Sequence, residues 1–119
     1  MGTSWLQTGQ KLVGTGYVGR SEQGVSVALS ADGNTALIGG PYDNDGQGAV
    51  WVFTNTNGTW AQLGNKLTGT GNIGTALQGW SVAINADGTR AIIGGIKDDN
   101  FKGALWPLSR TGNTWAAGG

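Results

Sequence analysis

The stretch GVSVALSADGNTALIGG, residues 24–40, decides the fold, because it contains a strand, a tight turn and a second strand in one run. Large and small side chains alternate over residues 25–29, and this period of two predicts a β-strand. Asp32-Gly33 supplies the positive φ that a tight hairpin needs. Residues 35–40 are almost continuously apolar, so we expect the second strand to be buried on both faces.

The same stretch occurs again 55 residues later as GWSVAINADGTRAIIGG, residues 79–95. About half of the positions aligned at this spacing are identical, which is far above chance for such a comparison. The chain therefore contains two tandem repeats. The matching positions include Trp5, Trp60 and Trp115, and the pairs Lys11-Leu12 and Lys66-Leu67.

Each repeat predicts four antiparallel strands and no helix. In the first repeat a polar loop at 41–48 leads to a third strand at 49–53, and a turn at 55–58 leads to a last strand at 59–67. Repeated groups of four antiparallel strands, buried on both faces, are typical of β-propeller blades. A β-sandwich is the alternative, but it would bury only one face of each sheet. The predicted fold class is all-β, with two four-stranded blades per chain.

Short motifs in both repeats resemble the FG-GAP repeats of integrin-like β-propellers. In the first repeat they are Gly24-x-Ser26-Val27-Ala28, Leu37-Ile38-Gly39-Gly40-Pro41, Gly48-Ala49-Val50-Trp51-Val52-Phe53 and Trp60. The resemblance implies a propeller. Because some propellers of this kind are lectins, it also implies carbohydrate binding as a candidate function.

The repeats depart from the family pattern in two ways. Glutamine, as Gln23 and Gln78, stands where the family motif has phenylalanine, and the acidic calcium loop is reduced to residues 31–33 and 86–88. One Asp cannot supply the several oxygens that calcium takes. We therefore expect no calcium and no other cofactor in these loops.

A pair of blades leaves one apolar face uncovered at each end, and the two faces differ. Contact between unlike faces is head-to-tail, and it generates a closed ring when the rotation closes and an open filament otherwise. We therefore expect a homo-oligomeric ring, with a trimer favoured over a tetramer. Residues 1–13 would form an outer strand that completes a neighbouring blade, 14–68 blade one, and 69–119 blade two with an incomplete outer strand. Within this scheme residues 4–12 pair beside residues 104–106 of the neighbour.

Composition excludes several functional classes. Basic and acidic residues each number 7, so no surface for nucleic acid or an anionic membrane is expected. Histidine and cysteine are absent, which excludes disulfides and both Ser-His-Asp and Cys-His catalysis. No segment approaches the length of a membrane span. We expect a soluble protein that is not an enzyme, in a compartment left open, with an extracellular location compatible with the resemblance.

The candidate ligand surface consists of loops that share one face of a propeller near its axis. The repeats differ most in these loops, and neutral drift of unpacked residues explains such differences as well as a binding role does. The loops are residues 17–23, 41–47, 72–78 and 96–102. The differences include Tyr17 against Asn72, Arg20 against Thr75, Glu22 against Leu77, and Tyr42 against Lys97.

Aromatic side chains that stack on sugar rings and polar ones that bond hydroxyls are the candidate ligand-binding residues. They are Tyr17, Arg20, Gln23, Tyr42, Asn44, Gln78, Trp80 and Asn100. The strand tryptophans Trp51, Trp60 and Trp106 are expected to be packing residues, and the acidic turns 43–46 and 98–100 to be solvated loops. The leading hypothesis is multivalent, lectin-like carbohydrate binding. The alternatives are a ligand-free structural or engineered fragment and a protein-binding platform.

Overall fold

The computed structural model describes residues 4–117 and contains two four-stranded antiparallel sheets, each with its strands in chain order. The first sheet consists of β1 (Ser26–Leu29), β2 (Thr35–Gly40), β3 (Ala49–Thr56) and β4 (Thr59–Gln62). The second sheet consists of β5 (Gln78–Ile84), β6 (Arg90–Gly95), β7 (Ala104–Thr111) and β8 (Thr114–Ala117). The all-β fold class and the four strands per repeat are confirmed.

Single helical turns, α1 (Asp43–Gly46) and α2 (Asp98–Phe101), follow the second strand of each sheet. Both contain left-handed residues, at Asn44 and Asp45 in α1 and at Asp99 and Asn100 in α2. Asn and Asp tolerate this conformation better than other side chains do, which explains why the loops are rich in them. Within residues 4–117 no helix is long and apolar enough to cross a bilayer.

The strand boundaries agree closely with the sequence prediction at β2 and less closely at the outer strand. β2 occupies residues 35–40 as predicted. β4 ends at Gln62 rather than at residue 67. Beyond it the chain returns to β3 at Leu67, where the backbone N–H groups of Val50 and Leu67 each donate to the other's carbonyl, at 2.9 and 2.7 Å. The predicted last strand is therefore interrupted.

The two sheets pack face to face around one apolar core. β2 and β3 contribute Leu37, Val50 and Val52, and the second sheet contributes Ala91, Ile93, Leu108 and Trp115. Close approach of the sheets requires glycine, because a Cβ on Gly39 would collide with the carbonyl oxygen of Gly79. Ser26 Oγ donates to that same carbonyl at 2.7 Å. A polar contact thus accompanies the apolar packing between the sheets.

Each sheet also has an outer face that the other sheet does not cover. The outer face of the second sheet carries Ala83, Ile92, Leu105 and Pro107, all exposed, and that of the first sheet carries Val27, Leu29 and Ile38, with the two β1 residues exposed. At the repeat spacing of 55 residues, Leu105 corresponds to Val50, which is fully buried between the sheets. The uncovered faces are therefore the counterparts of the two faces that pack together.

Candidate functional site

Gln23 and Gln78 each hold the backbone of an incoming loop. Gln78 Oε1 accepts from the Gly69 N–H at 2.6 Å, and Gln78 Nε2 donates to the Gly69 carbonyl at 3.1 Å. Gln23 makes the same pair of bonds to Gly14, also at 2.6 and 3.1 Å. Gln78 is fully buried, so its amide has no surface left for a ligand. Burial therefore removes Gln78 from the candidate ligand set, whereas Gln23 is half-buried and its ligand contact stays a prediction.

Trp51 and Trp106 pack on the two loops that Gln23 and Gln78 hold, and each glutamine with its tryptophan is called a clamp below. This agrees with the prediction that the strand tryptophans are packing residues. The indole of Trp51 lies where a Cβ on Gly14 would be, and its Nε1 donates to the Thr15 carbonyl at 2.8 Å. Trp106 repeats this contact with the Thr70 carbonyl at 2.8 Å. Each loop that enters a first strand is therefore fixed at its base.

The acidic turns are anchored by their first carboxylate, which is buried, whereas the sequence predicted solvated loops. Asp43 Oδ1 accepts from the Val18 N–H at 2.8 Å, and its Oδ2 forms an ion pair with Lys66 Nζ at 2.5 Å. Asp98 Oδ1 accepts from the Ile73 N–H at 2.7 Å. Across the part of the chain that the structure describes, no three His, Cys, Asp or Glu residues lie close enough to hold a metal ion.

A groove of about 530 Å³ lies between the loops of the two repeats. Its floor is fixed because the Leu77 N–H donates to the Gly46 carbonyl at 2.8 Å and the Gln78 N–H donates to the Gln47 carbonyl at 3.0 Å. The volume falls within the range of small-molecule sites. The lining residues are Arg20, Glu22, Tyr42, Asp45 and Gly46 from the first repeat, and Thr75, Leu77 and Lys97 from the second.

Three of the four divergent pairs named from the sequence line this groove, whereas Tyr17 and its counterpart Asn72 do not. Arg20 and Thr75, Glu22 and Leu77, and Tyr42 and Lys97 are equivalent by repeat and lie around one cavity. Among the residues that line the groove, only Arg20 and Tyr42 were predicted from the sequence to bind a ligand. Divergence between the repeats was the signal that pointed to most of the lining residues.

Charge and backbone conformation distinguish the groove from an ordinary surface loop. Arg20, Lys97, Glu22 and Asp45 contribute two positive and two negative groups, and within residues 4–117 none of them forms an ion pair. Glu22 and Leu77 adopt positive φ angles of 55° and 58°. Positive φ is unfavourable for a branched, buried side chain such as Leu77, and such strain is concentrated at functional sites.

The other predicted ligand residues lie outside the groove lining. Tyr17 and Trp80 are exposed, and Trp80 lies on β5 beside an irregularity in its pairing with β6. Asn44 donates from Nδ2 to Gln47 Oε1 at 2.8 Å and, like Asn100, has a left-handed backbone in an acidic turn. Arg20 and Tyr42 are thus the two predicted residues that the fold brings together in one cavity.

No family model matches the chain, and no curated protein matches it. The groove itself is therefore the basis for the functional inference that follows.

Proposed function

We propose that this chain is a carbohydrate-binding protein built from two FG-GAP-like propeller blades, and that its ligand occupies the groove between them. The observation that carries the proposal is the pairing of divergent repeat positions around one cavity that has an aromatic wall and unpaired polar groups. Neutral drift would produce the same divergence without any effect of these residues on binding, so substitutions in the groove distinguish the two explanations.

The chemistry of the groove suits a neutral ligand rich in hydroxyl groups. Tyr42, with 39% of its surface exposed, offers a flat apolar face for a sugar ring. Arg20 and Lys97 donate hydrogen bonds, and Glu22 and Asp45 accept them. Hydroxyl groups do both, and the two positive and two negative side chains cancel, so no net charge is required of the ligand.

Lys97, which lines the groove, also contacts the neighbouring Phe101. Its Nζ lies 5.6 Å from the centroid of the Phe101 ring, a distance at which a cation is attracted to an aromatic face. A donor positioned in this way loses less conformational entropy when a ligand binds. This contact supports a role for the second repeat in the same site.

Single sites of this kind bind weakly, because one stacking contact and a few hydroxyl bonds must offset the entropy lost on association. Several copies presented on one rigid ring would raise the overall affinity. The proposed assembly of two-blade chains into a ring, with a trimer first, therefore supports the same function.

Replacement of Tyr42 tests the proposal. On a glycan array, Tyr42→Ala is expected to weaken binding about threefold to tenfold, the value of one aromatic contact. Tyr42→Phe keeps the ring and should retain most of the binding. Tyr17→Ala, which removes an exposed aromatic side chain outside the groove, is the matched control and should bind as the original chain does.

If the intact protein binds no glycan on the array, this result contradicts carbohydrate binding and favours the ligand-free fragment. Loss of binding with Tyr17→Ala but not with Tyr42→Ala would place the site elsewhere. Thermal unfolding of each variant shows whether the fold is retained, since Tyr42 and Tyr17 are both exposed.

A further inference from the structure

The outer edge of the first sheet is closed by a short segment that follows β4. Lys66 forms the ion pair with the buried carboxylate of Asp43, and Leu67 pairs with Val50 of β3 through two backbone hydrogen bonds. Val50 is fully buried and Asp43 is 1% exposed. The Lys66-Leu67 segment thus neutralises a buried charge and covers a strand edge in one contact.

The second sheet has the equivalent surface, but none of the described residues covers it as Lys66-Leu67 covers the first sheet. Asp98 is the repeat counterpart of Asp43 and is only 8% exposed, yet no cationic side chain in residues 4–117 lies within ion-pair distance of it. Leu105, the counterpart of Val50, is 60% exposed. β8 pairs with β7 only from Leu108 onward, so the edge of β7 beside Leu105 is open.

Lys11-Leu12 is the matching segment within this sequence. WLQTGQKLVG, residues 5–14, and WAQLGNKLTG, residues 60–69, are identical at six of ten positions, the lysine and leucine included. Residues 5–12 are exposed and carry the positive charge that Asp98 lacks as a partner. Sequence and charge therefore both match the open surface.

The same segment shares two local features with its counterpart at residues 60–69. Gln7 Nε2 donates to the Gly9 carbonyl at 2.8 Å, and Gln62 Nε2 donates to the Gly64 carbonyl at 2.9 Å. Gly9 and Gly64 both have positive φ. A segment preorganised in this way loses less entropy on docking than a random chain would.

The position of the glycine that follows each segment indicates which sheet the segment can reach. Leu67 pairs with the first sheet, whereas Gly69, two residues later, packs against Trp106 of the second. The sheet that such a segment pairs with is thus the one that comes, in chain order, just before the sheet that its glycine contacts. Gly14 packs against Trp51 of the first sheet, so Leu12 lies toward the outer face of that sheet, away from the second sheet.

We propose that Lys11-Leu12 of a second copy of this chain docks on the second sheet, with Lys11 paired to Asp98 and Leu12 paired to Leu105. The outer face of the first sheet of that copy then covers the outer face of the second sheet, in which an apolar groove of about 620 Å³ is open. This inference deepens the assembly proposed above and is independent of whether the other groove binds sugar.

The surface area of the single chain agrees with a missing partner. It exposes 7236 Å² for a mass of 12.1 kDa, whereas a folded monomer of this mass typically exposes about 6,000 Å².

The segment that can dock is shorter than the outer strand predicted at residues 4–12. β8 already occupies the place equivalent to β4, so only the part of the segment around Lys11-Leu12 has an open position.

A disulfide tests this contact directly, because the chain has no cysteine of its own. Leu12 and Leu105 are replaced together by cysteine, and the protein is oxidised with oxidised glutathione. Cα atoms opposite each other in an antiparallel pair lie within the range that a disulfide spans. The expected product is a covalent oligomer on a non-reducing gel that returns to single chains after reduction.

Two further pairs calibrate the result. Val50→Cys with Leu67→Cys is the equivalent pair within one chain. It should form a disulfide inside the chain and give no covalent oligomer. Leu12→Cys with Asn113→Cys places the second thiol at the far end of β7, about 26 Å along the strand from Leu105, and should give no comparable oligomer.

Charge reversal gives an independent measurement by native mass spectrometry. Lys11→Glu is expected to shift the population toward single chains, and Lys11→Glu with Asp98→Lys to restore the oligomer. Arg110→Glu reverses a charge near the end of β7 that is distant from Leu105, and it should leave the mass distribution unchanged. A single-chain mass for the original protein at micromolar concentration, or an oligomer that the Leu12→Cys and Leu105→Cys pair fails to cross-link, overturns the proposal.

Discussion

Asp32 lies in the turn between β1 and β2, where its carboxylate accepts hydrogen bonds from the Ser30 hydroxyl at 2.6 Å and from the Asn34 N–H at 3.0 Å. These two bonds, the hydroxyl first, lower the pKa of Asp32 below its ordinary value of 3.8. The Thr89 hydroxyl similarly lowers the pKa of Asp87 in the second repeat. A carboxylate with a depressed pKa favours the folded state in its charged form.

The sign of the resulting pH dependence follows from that depression. The stabilisation is fully present above the unfolded pKa, near 4, and is lost as the pH falls through the lower folded pKa. We expect Asp32→Asn to flatten the fall in unfolding free energy between about pH 5 and about pH 2, measured by urea titration. Asp87→Asn should flatten it in the same way, and curves parallel to that of the original chain would contradict this account.

At the level of elements, the glutamine clamps tie each incoming loop to the sheet that follows it. The clamp of the second repeat is fully buried, whereas Gln23 retains partial exposure. A buried N–H and a buried carbonyl that lose their partners each cost free energy. The two repeats therefore provide a matched pair for measuring that cost.

We expect Gln78→Leu to lower the free energy of unfolding by about 2 to 4 kcal/mol, since it leaves both backbone groups of Gly69 without partners. Gln23→Leu should cost less, because water reaches Gly14 more easily. Denaturant unfolding followed by tryptophan fluorescence measures both. Equal costs, or a stabilised Gln78→Leu variant, would show that the amide bonds are not what holds the loops.

At the level of the whole molecule, head-to-tail contact would also build a second kind of groove. The positions of Thr75, Leu77 and Lys97 would then face Arg20 and Tyr42 of the next copy, by the same repeat relation that forms the groove within one chain. Phe101 stands where the first groove has Gly46. Each chain would thus contribute to two sites of different composition.

We expect native mass spectrometry to give one main species of three chains, each of 12.1 kDa, with the same mass over a range of concentrations. A closed ring has a fixed number of subunits, whereas an open filament lengthens as the concentration rises. Four chains would correct only the blade number. A series of masses that grows with concentration would replace the ring by a filament.

Local patterns in the sequence determined the positions of most strands and turns. The alternation at 25–29, the turn at Asp32-Gly33 and the apolar run at 35–40 predict β1, the hairpin and β2 because each rests on neighbouring residues. The period of 55 residues likewise determined that there are two equivalent sheets. The interruption of β4 was not predicted, because it depends on where the chain returns to β3.

Only the tertiary structure decided which polar residues are available to a ligand. Gln78 and Tyr42 are both polar loop-region residues in the sequence, but the first is fully buried against Gly69 and the second stands open in the groove. Likewise, the Lys66–Asp43 pair joins residues 23 positions apart, and no local sequence pattern predicts it. Burial and long-range pairing are properties of the packed sheets, and periodicity along the chain reports only on the strand in which a residue lies.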